Sequence, residues 1–177
     1  ARLATAIGHA RQCVDLDDTL AEGHATLAFL LVSAGKFTEA VAAGRRAVSL
    51  DPHDWRHLFR LGHAAWGSER LDALKRALTI YGDLAFAHFY IAMVHIARNQ
   101  LPMAVEVLHQ GVALQDKQAG RESRYPASGL HWLLGMVCLA QGDAARALAE
   151  CRRELAAASG ATSRIWGKEF AMNAHDG

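Results

Sequence analysis

Only three prolines occur in the 177 residues, at Pro52, Pro102 and Pro126. A chain so poor in the residue that breaks helices, and so rich in alanine, is expected to be helical. Cysteine is equally scarce. Cys13, Cys138 and Cys151 are odd in number and far apart, which points to neither a disulfide framework nor a zinc site and fits a reducing, cytoplasmic setting. No apolar run reaches the roughly 20 residues that a membrane helix needs. No basic segment followed by an apolar core opens the chain. Because the first residue is Ala1 and not Met, the sequence reads as a piece of a longer protein whose targeting signal is missing. An excess of one charge is also lacking. The 19 Lys and Arg balance 18 Asp and Glu, for a formal net charge of +1, so nothing draws the chain toward nucleic acid or an acidic membrane. With 51% hydrophobic and 21% charged residues, the composition is that of a folded protein.

What is present is periodic. Residues 21–54 hold two amphipathic segments, split by Ser33-Ala34-Gly35-Lys36 and closed by Asp51-Pro52. Their combined length matches a helix–turn–helix repeat of about 34 residues. Leu27-Ala28 occupy the place of a Leu-Gly pair, and Ala40, Ala47 and Pro52 fill the later fixed places. On these residues the chain resembles the tetratricopeptide repeat family.

The same register runs along the chain. Residues 1–20 match the second helix of a partial repeat, with Ala6 for Ala40, Cys13 for Ala47, and Asp17-Asp18 for Asp51-Pro52. Residues 55–84 form a short repeat, about four residues under the usual 34. It carries Leu61-Gly62 and Ala77, and its turn near Gly67-Ser68 is expected to be tight or displaced. Residues 85–116 form a third repeat, with Ile91-Ala92, Ala104 and Gly111. Pro102 falls in the first turn of its second helix, where a missing N–H is tolerated. Residues 117–127 break the period and read as an inserted loop. Residues 128–161 are a fourth repeat with Leu134-Gly135, Gly142-Asp143 and Ala147, although Glu154 stands where Ala is expected. Residues 162–177 begin a further helix, with Ser163 as its N-cap. The resemblance implies an all-α fold, a right-handed superhelix (an α-solenoid) of antiparallel helix pairs with about nine or ten helices.

It also implies a concave groove lined by the first helix of each repeat. The groove positions carry Glu22, Ala25, Phe29, Val32 and Ser33, then Arg56, Phe59, His63, Trp66 and Gly67, then Phe86, Phe89, Met93, Ile96 and Ala97, then Gly129, Trp132, Met136, Leu139 and Ala140. The peptide-binding set expected from them is Phe29, Phe59, His63, Trp66, Phe86, Phe89, Met93, Trp132 and Met136. So apolar a surface marks a binding site. Burying each anchor contributes roughly 1.5–3 kcal/mol, which after association costs corresponds to micromolar affinity. Two other readings stand beside a ligand groove: a groove filled by the protein's own segments or a second copy, and ordinary core. Repeats that clamp an acidic chaperone carboxyl-terminus carry Lys, Asn and Arg, where this chain has Ala25, Phe29 and Ser33 or their apolar counterparts. A carboxylate clamp is therefore not expected.

Catalysis finds no support. There is no G-x-S-x-G elbow, no cysteine in a family signature beside a histidine, and no glycine-rich phosphate loop. His24, His88 and His131 share one repeat position, so they are read as packing residues too far apart for one ion. His57 and His63 project to different sides of a helix, and His63 is read as a hydrogen-bonding group in the groove. The cluster Asp15, Asp17 and Asp18 and the pairs Arg45-Arg46 and Arg152-Arg153 are read as solvated faces. Lys117, Arg121 and Arg124 are expected to flank the groove. No metal, catalytic residue or cofactor is expected. The sequence thus points to a non-enzymatic protein–protein interaction module for an apolar peptide or helix, with no direct contact to nucleic acid or membrane. A regulatory segment of a larger bacterial signalling or transcription-regulating protein, and a self-assembly scaffold forming a homo-oligomer, are the alternatives.

Overall fold

The computed structural model describes residues 2–118 and 127–156. The loop positions Arg121 and Arg124, and the further helix with its Ser163 cap, lie outside the described residues. Within them the secondary structure is all-α. The helices are α1 (Arg2–Leu16), α2 (Ala21–Ser33), α3 (Phe37–Leu50), α4 (Trp55–Ala64), α5 (Gly67–Ile80), α6 (Ala85–Ala97), α7 (Leu101–Gln118), α8 (Leu130–Ala140) and α9 (Ala144–Ala156). They fall into two compact units, dividing after Gly82. The first holds α1–α5 and the second α6–α9. No helix among the described residues is long and apolar enough to cross a membrane.

In the first unit α2 pairs with α3 and α4 with α5, and α1 packs on α2. Ile7, Leu31, Ala40 and Ala64 form one buried cluster, and Leu61, Ala65 and Ala73 another. In the second unit α6 pairs with α7 and α8 with α9. Ala92, Leu108, Leu130, Leu134 and Cys138 lie at the centre of its core. Small residues set the spacing of the helices. A Cβ on Gly62 would stand 2.6 Å from Leu74 Cγ, and one on Gly111 2.6 Å from Leu130 Cδ2. Helices that close cannot carry side chains at the crossing.

Three of the four pairs turn in the same way. Gly35, Asn99 and Gly142 adopt positive φ after α2, α6 and α8. The next residue then donates back into the helix: Lys36 N to Leu31 O (2.9 Å), Gln100 N to His95 O (2.8 Å) and Asp143 N to Cys138 O (3.0 Å). This is a Schellman closure, which satisfies carbonyls that a helix end otherwise leaves open. The short pair α4–α5 lacks it. Its first helix has 10 residues where α2 and α6 have 13, and only Ala65 and Trp66 link it to α5.

A side chain substitutes for the missing turn. Arg70 on α5, only 7% exposed, donates through Nε to Gly62 O (2.9 Å) and Ala65 O (2.8 Å), and through Nη2 to His63 O (3.2 Å). A guanidinium suits this place, having several donors in a fixed plane and a positive charge beside the negative end of a helix. The Trp66 ring covers its other side, with the Arg70 Cζ 4.4 Å from the ring centroid.

Candidate apolar binding faces

The nine residues expected to bind a peptide divide between the two units. In the first, α2 carries Phe29, α4 carries Phe59 and His63, and Trp66 follows α4. The two helices are neighbours, and the Phe29 and His63 rings lie 5.8 Å apart. Phe29 is 49% exposed and Trp66 55%, whereas Phe59 and His63 are half-buried. Beside them Arg60 Nη1 donates to Glu22 Oε1 at 2.6 Å. This gives the apolar face a polar edge on the same two helices.

In the second unit Phe86, Phe89 and Met93 lie on α6, and Trp132 and Met136 on α8. Here the arrangement differs. Phe86, Phe89, Met93 and Trp132 are partly buried and pack against the core, so part of each contributes to folding. Met136 and its neighbour Leu139 are exposed, at 39% and 48%. Among the groove positions, the exposed large apolar residues are therefore aromatic in the first unit, Phe29 and Trp66, and aliphatic in the second, Met136 and Leu139. Ala25, also a groove position by register, is fully buried.

His63 is held below its ordinary pKa of 6.5, first by burial and then by the Arg70 charge. Its ring is accordingly neutral near neutral pH, with one donor and one acceptor nitrogen. Burial depresses His88 in the second unit as well. Both groups take up protons more readily in the unfolded chain, so their contribution is present above about pH 6.5 and falls as pH drops below it. Thermal unfolding should occur at lower temperature at about pH 5.5 than at about pH 7.5, and the double variant His63→Gln, His88→Gln should flatten that dependence. An unchanged slope in the double variant would assign the acid sensitivity to other groups.

The packing histidines are buried, His24 and His88 at 8% and His131 at 1%. His24 Nε2 lies 2.9 Å from Asp18 O. His131 sits between two carboxylates, with Nδ1 2.7 Å from Glu150 Oε2 and Nε2 3.0 Å from Asp116 Oδ1. Burial raises the Cys138 thiol, and raises that of Cys151 to about 11, so neither is a nucleophile near neutral pH.

Two residues that shape the first face were missed in the sequence. Arg70 had a signal available: the short repeat leaves the last carbonyls of α4 without a turn, and Arg70 is the first cation after it. Arg60 had none, because its partner Glu22 is 38 residues away and only the packing of α2 on α4 brings them together.

A profile described as tetratricopeptide repeat matches residues 26–85 and 89–162. A search of curated protein sequences returns no significant match. Among solved structures, the chain is similar to TTC0263, a thermophilic TPR protein of Thermus thermophilus. The TM-score is 0.74 at 20% identity, over 97% of this chain and 91% of that one. It is similar to MamA, with a TM-score of 0.68 at 16% identity over 96% and 91% of the two chains. It is also similar to YrrB, described as a TPR protein with an unusual peptide-binding site, with a TM-score of 0.59 at 14% identity over 95% and 84%.

Proposed function

Since this chain belongs to the tetratricopeptide repeat family, a family of non-enzymatic protein-interaction scaffolds, we propose that its first-helix faces receive an apolar peptide or the apolar side of a partner helix. One observation carries this reading. Phe29 and Trp66 are half exposed, and the Phe29 ring lies 5.8 Å from that of the neutral, half-buried His63. Large aromatic side chains standing in water favour association, because covering them removes apolar surface from solvent. The neutral His63 ring brings polar nitrogens to the edge of a ligand backbone, and the Glu22–Arg60 pair orients a ligand's polar edge. The similarity to a structure described as having a peptide-binding site supports the reading at the level of fold.

The test is a fluorescence titration with apolar peptides selected by display on the native chain. The double variant Phe29→Ala, Trp66→Ala should weaken binding at least roughly tenfold, as truncation of aromatic anchors does, while helicity by circular dichroism stays near the native value. Phe59→Ala with Phe89→Ala should also weaken it, with some loss of stability because both rings are half-buried. Undiminished affinity in the first double variant would defeat the proposal. Light scattering over a wide concentration range identifies the competing occupant: a dimer that the Phe29 and Trp66 replacements dissolve would place a second copy on this face.

A further inference from the structure

The turn between α3 and α4 brings together Asp51, Asp54 and His57, whose potential ligand atoms all lie within 4.8 Å of one another. Local structure explains the convergence. Asp51 follows the last residue of α3, Asp54 is the N-cap of α4, and His57 lies three residues on, in the first turn. Residues three apart at a helix start share a face. From this geometry we infer a binding site for a first-row divalent cation, with Asp51, Asp54 and His57 as its protein ligands.

The state of His57 carries the inference beyond a cluster of turn acids. The residue is only 2% exposed, yet its ring finds no hydrogen-bond partner among the described residues. Nδ1 is buried without one, and Nε2 stands 3.8 Å from Asp54 Oδ2, too far for a hydrogen bond. A buried polar group left in that condition is unusual. The separation is close to what a shared ion requires, since ligand atoms about 2.0–2.2 Å from a tetrahedral ion lie roughly 3.3–3.6 Å apart. On its other side Nδ1 faces Glu22 Oε2 at 3.9 Å, and Arg60 holds that carboxylate from below at 2.6 Å. Glu22 is the carboxylate behind the imidazole, and a closure of under about 1 Å on metal binding lets it accept from Nδ1–H and fix the ring, the role outer carboxylates play around histidine ligands.

The donor set selects the ion. One imidazole and two carboxylates suit zinc, manganese, iron or cobalt better than calcium or magnesium, which prefer oxygen alone. Asp51 is exposed, so water or a partner's side chain completes the coordination. One group competes: the Arg56 guanidinium pairs with Asp54. A bound cation replaces that contact, and removing Arg56 should strengthen binding.

The experiment is isothermal titration of the chelator-treated full chain with zinc chloride, repeated with manganese chloride. The expected result is one zinc per chain in the micromolar range. Asp51→Asn and His57→Gln should each weaken it at least tenfold, Glu22→Gln by roughly 10–100-fold as loss of an outer carboxylate does, and Arg56→Gln should tighten it several-fold. Asp51 is exposed, so its replacement leaves the fold intact and reads the site even if His57→Gln is unstable. Visible d–d absorption of the cobalt form, lost in Asp51→Asn, gives an independent spectroscopic readout. Absence of zinc binding, or binding that is unchanged in Asp51→Asn and lost instead in His53→Ala, would overturn the site.

Discussion

Arg70→Met is expected to destabilise the first unit by about 2–4 kcal/mol, from hydrogen bonds to a charged donor worth roughly 1.5–3 kcal/mol each but not additive. Met keeps the length and apolar stem of the side chain and removes every donor. The carbonyls of Gly62, His63 and Ala65 then lose the guanidinium that now satisfies them, and Trp66 loses the cation it covers, worth about 0.5–1 kcal/mol at an exposed ring. Against a total stability of about 5–15 kcal/mol for an ordinary domain, this is a large fraction. A single global midpoint does not separate the contributions of two units, so the measurement is native-state hydrogen exchange. Amides of α4 and α5 should lose protection while those of α6–α9 keep theirs. Arg70→Lys should recover little, since one ammonium cannot address three carbonyls in the plane of a fork. Native protection of α4 and α5 in Arg70→Met would show that solvent satisfies the helix end equally well.

The second large effect is expected from Glu154→Ala in the other unit, about 2–4 kcal/mol, because removing a buried acceptor strands its donors at roughly 1–3 kcal/mol each. Glu154 is 1% exposed. Its Oε1 accepts from Gly129 N at 2.8 Å and its Oε2 from Gln115 Nε2 at 3.3 Å. Gln115 Oε1 in turn accepts from Leu130 N at 3.3 Å. No side chain of α8 caps its own start. Glu154 on α9 and Gln115 on α7 take the first amides instead, and the carboxylate also lies at the positive end of the α8 dipole. Gly129 has φ 87° there, a left-handed conformation that glycine adopts without steric cost. Chemical denaturation followed at Trp132 should give a clearly lower midpoint for Glu154→Ala and an intermediate one for Glu154→Gln, which keeps an acceptor but not the charge. Equal midpoints for all three proteins would remove the cap from the account.

These two residues also show where sequence reasoning reaches its end. Helix pairs were legible because small residues recur at fixed spacing, as at Ala28, Gly62, Ala92 and Gly135, and because closely packed helices admit no others. The shortened α4 was legible as a deficit of residues, but its remedy was not. The sequence shows a cation at Arg70 without showing that its side chain turns inward to the end of α4. Glu154 reads as a flaw in the register, since alanine is expected at its position. Only the approach of Gly129 N and Gln115 Nε2 to α9 makes a buried carboxylate favourable there.

The apolar stripe was visible residue by residue, but its division was not. Periodicity places Phe29 and Phe89 on the first helices of their repeats, yet Phe29 is half exposed and Phe89 packs on the second unit's core. Exposure depends on what the neighbouring helix brings, and repeat register carries no information about that. His57 is a sharper case, because neither Asp51 nor Glu22 belongs to its helix.

The sequence by itself determined the all-α class, the tetratricopeptide family and the absence of catalytic motifs, because these follow from spacing along one chain and from which residue types are present. The tertiary structure alone decided how the short pair is closed, how α8 is capped, which aromatics stand in water and which carboxylates meet His57. Each of those rests on contacts between residues distant in sequence, whose partners are chosen by packing.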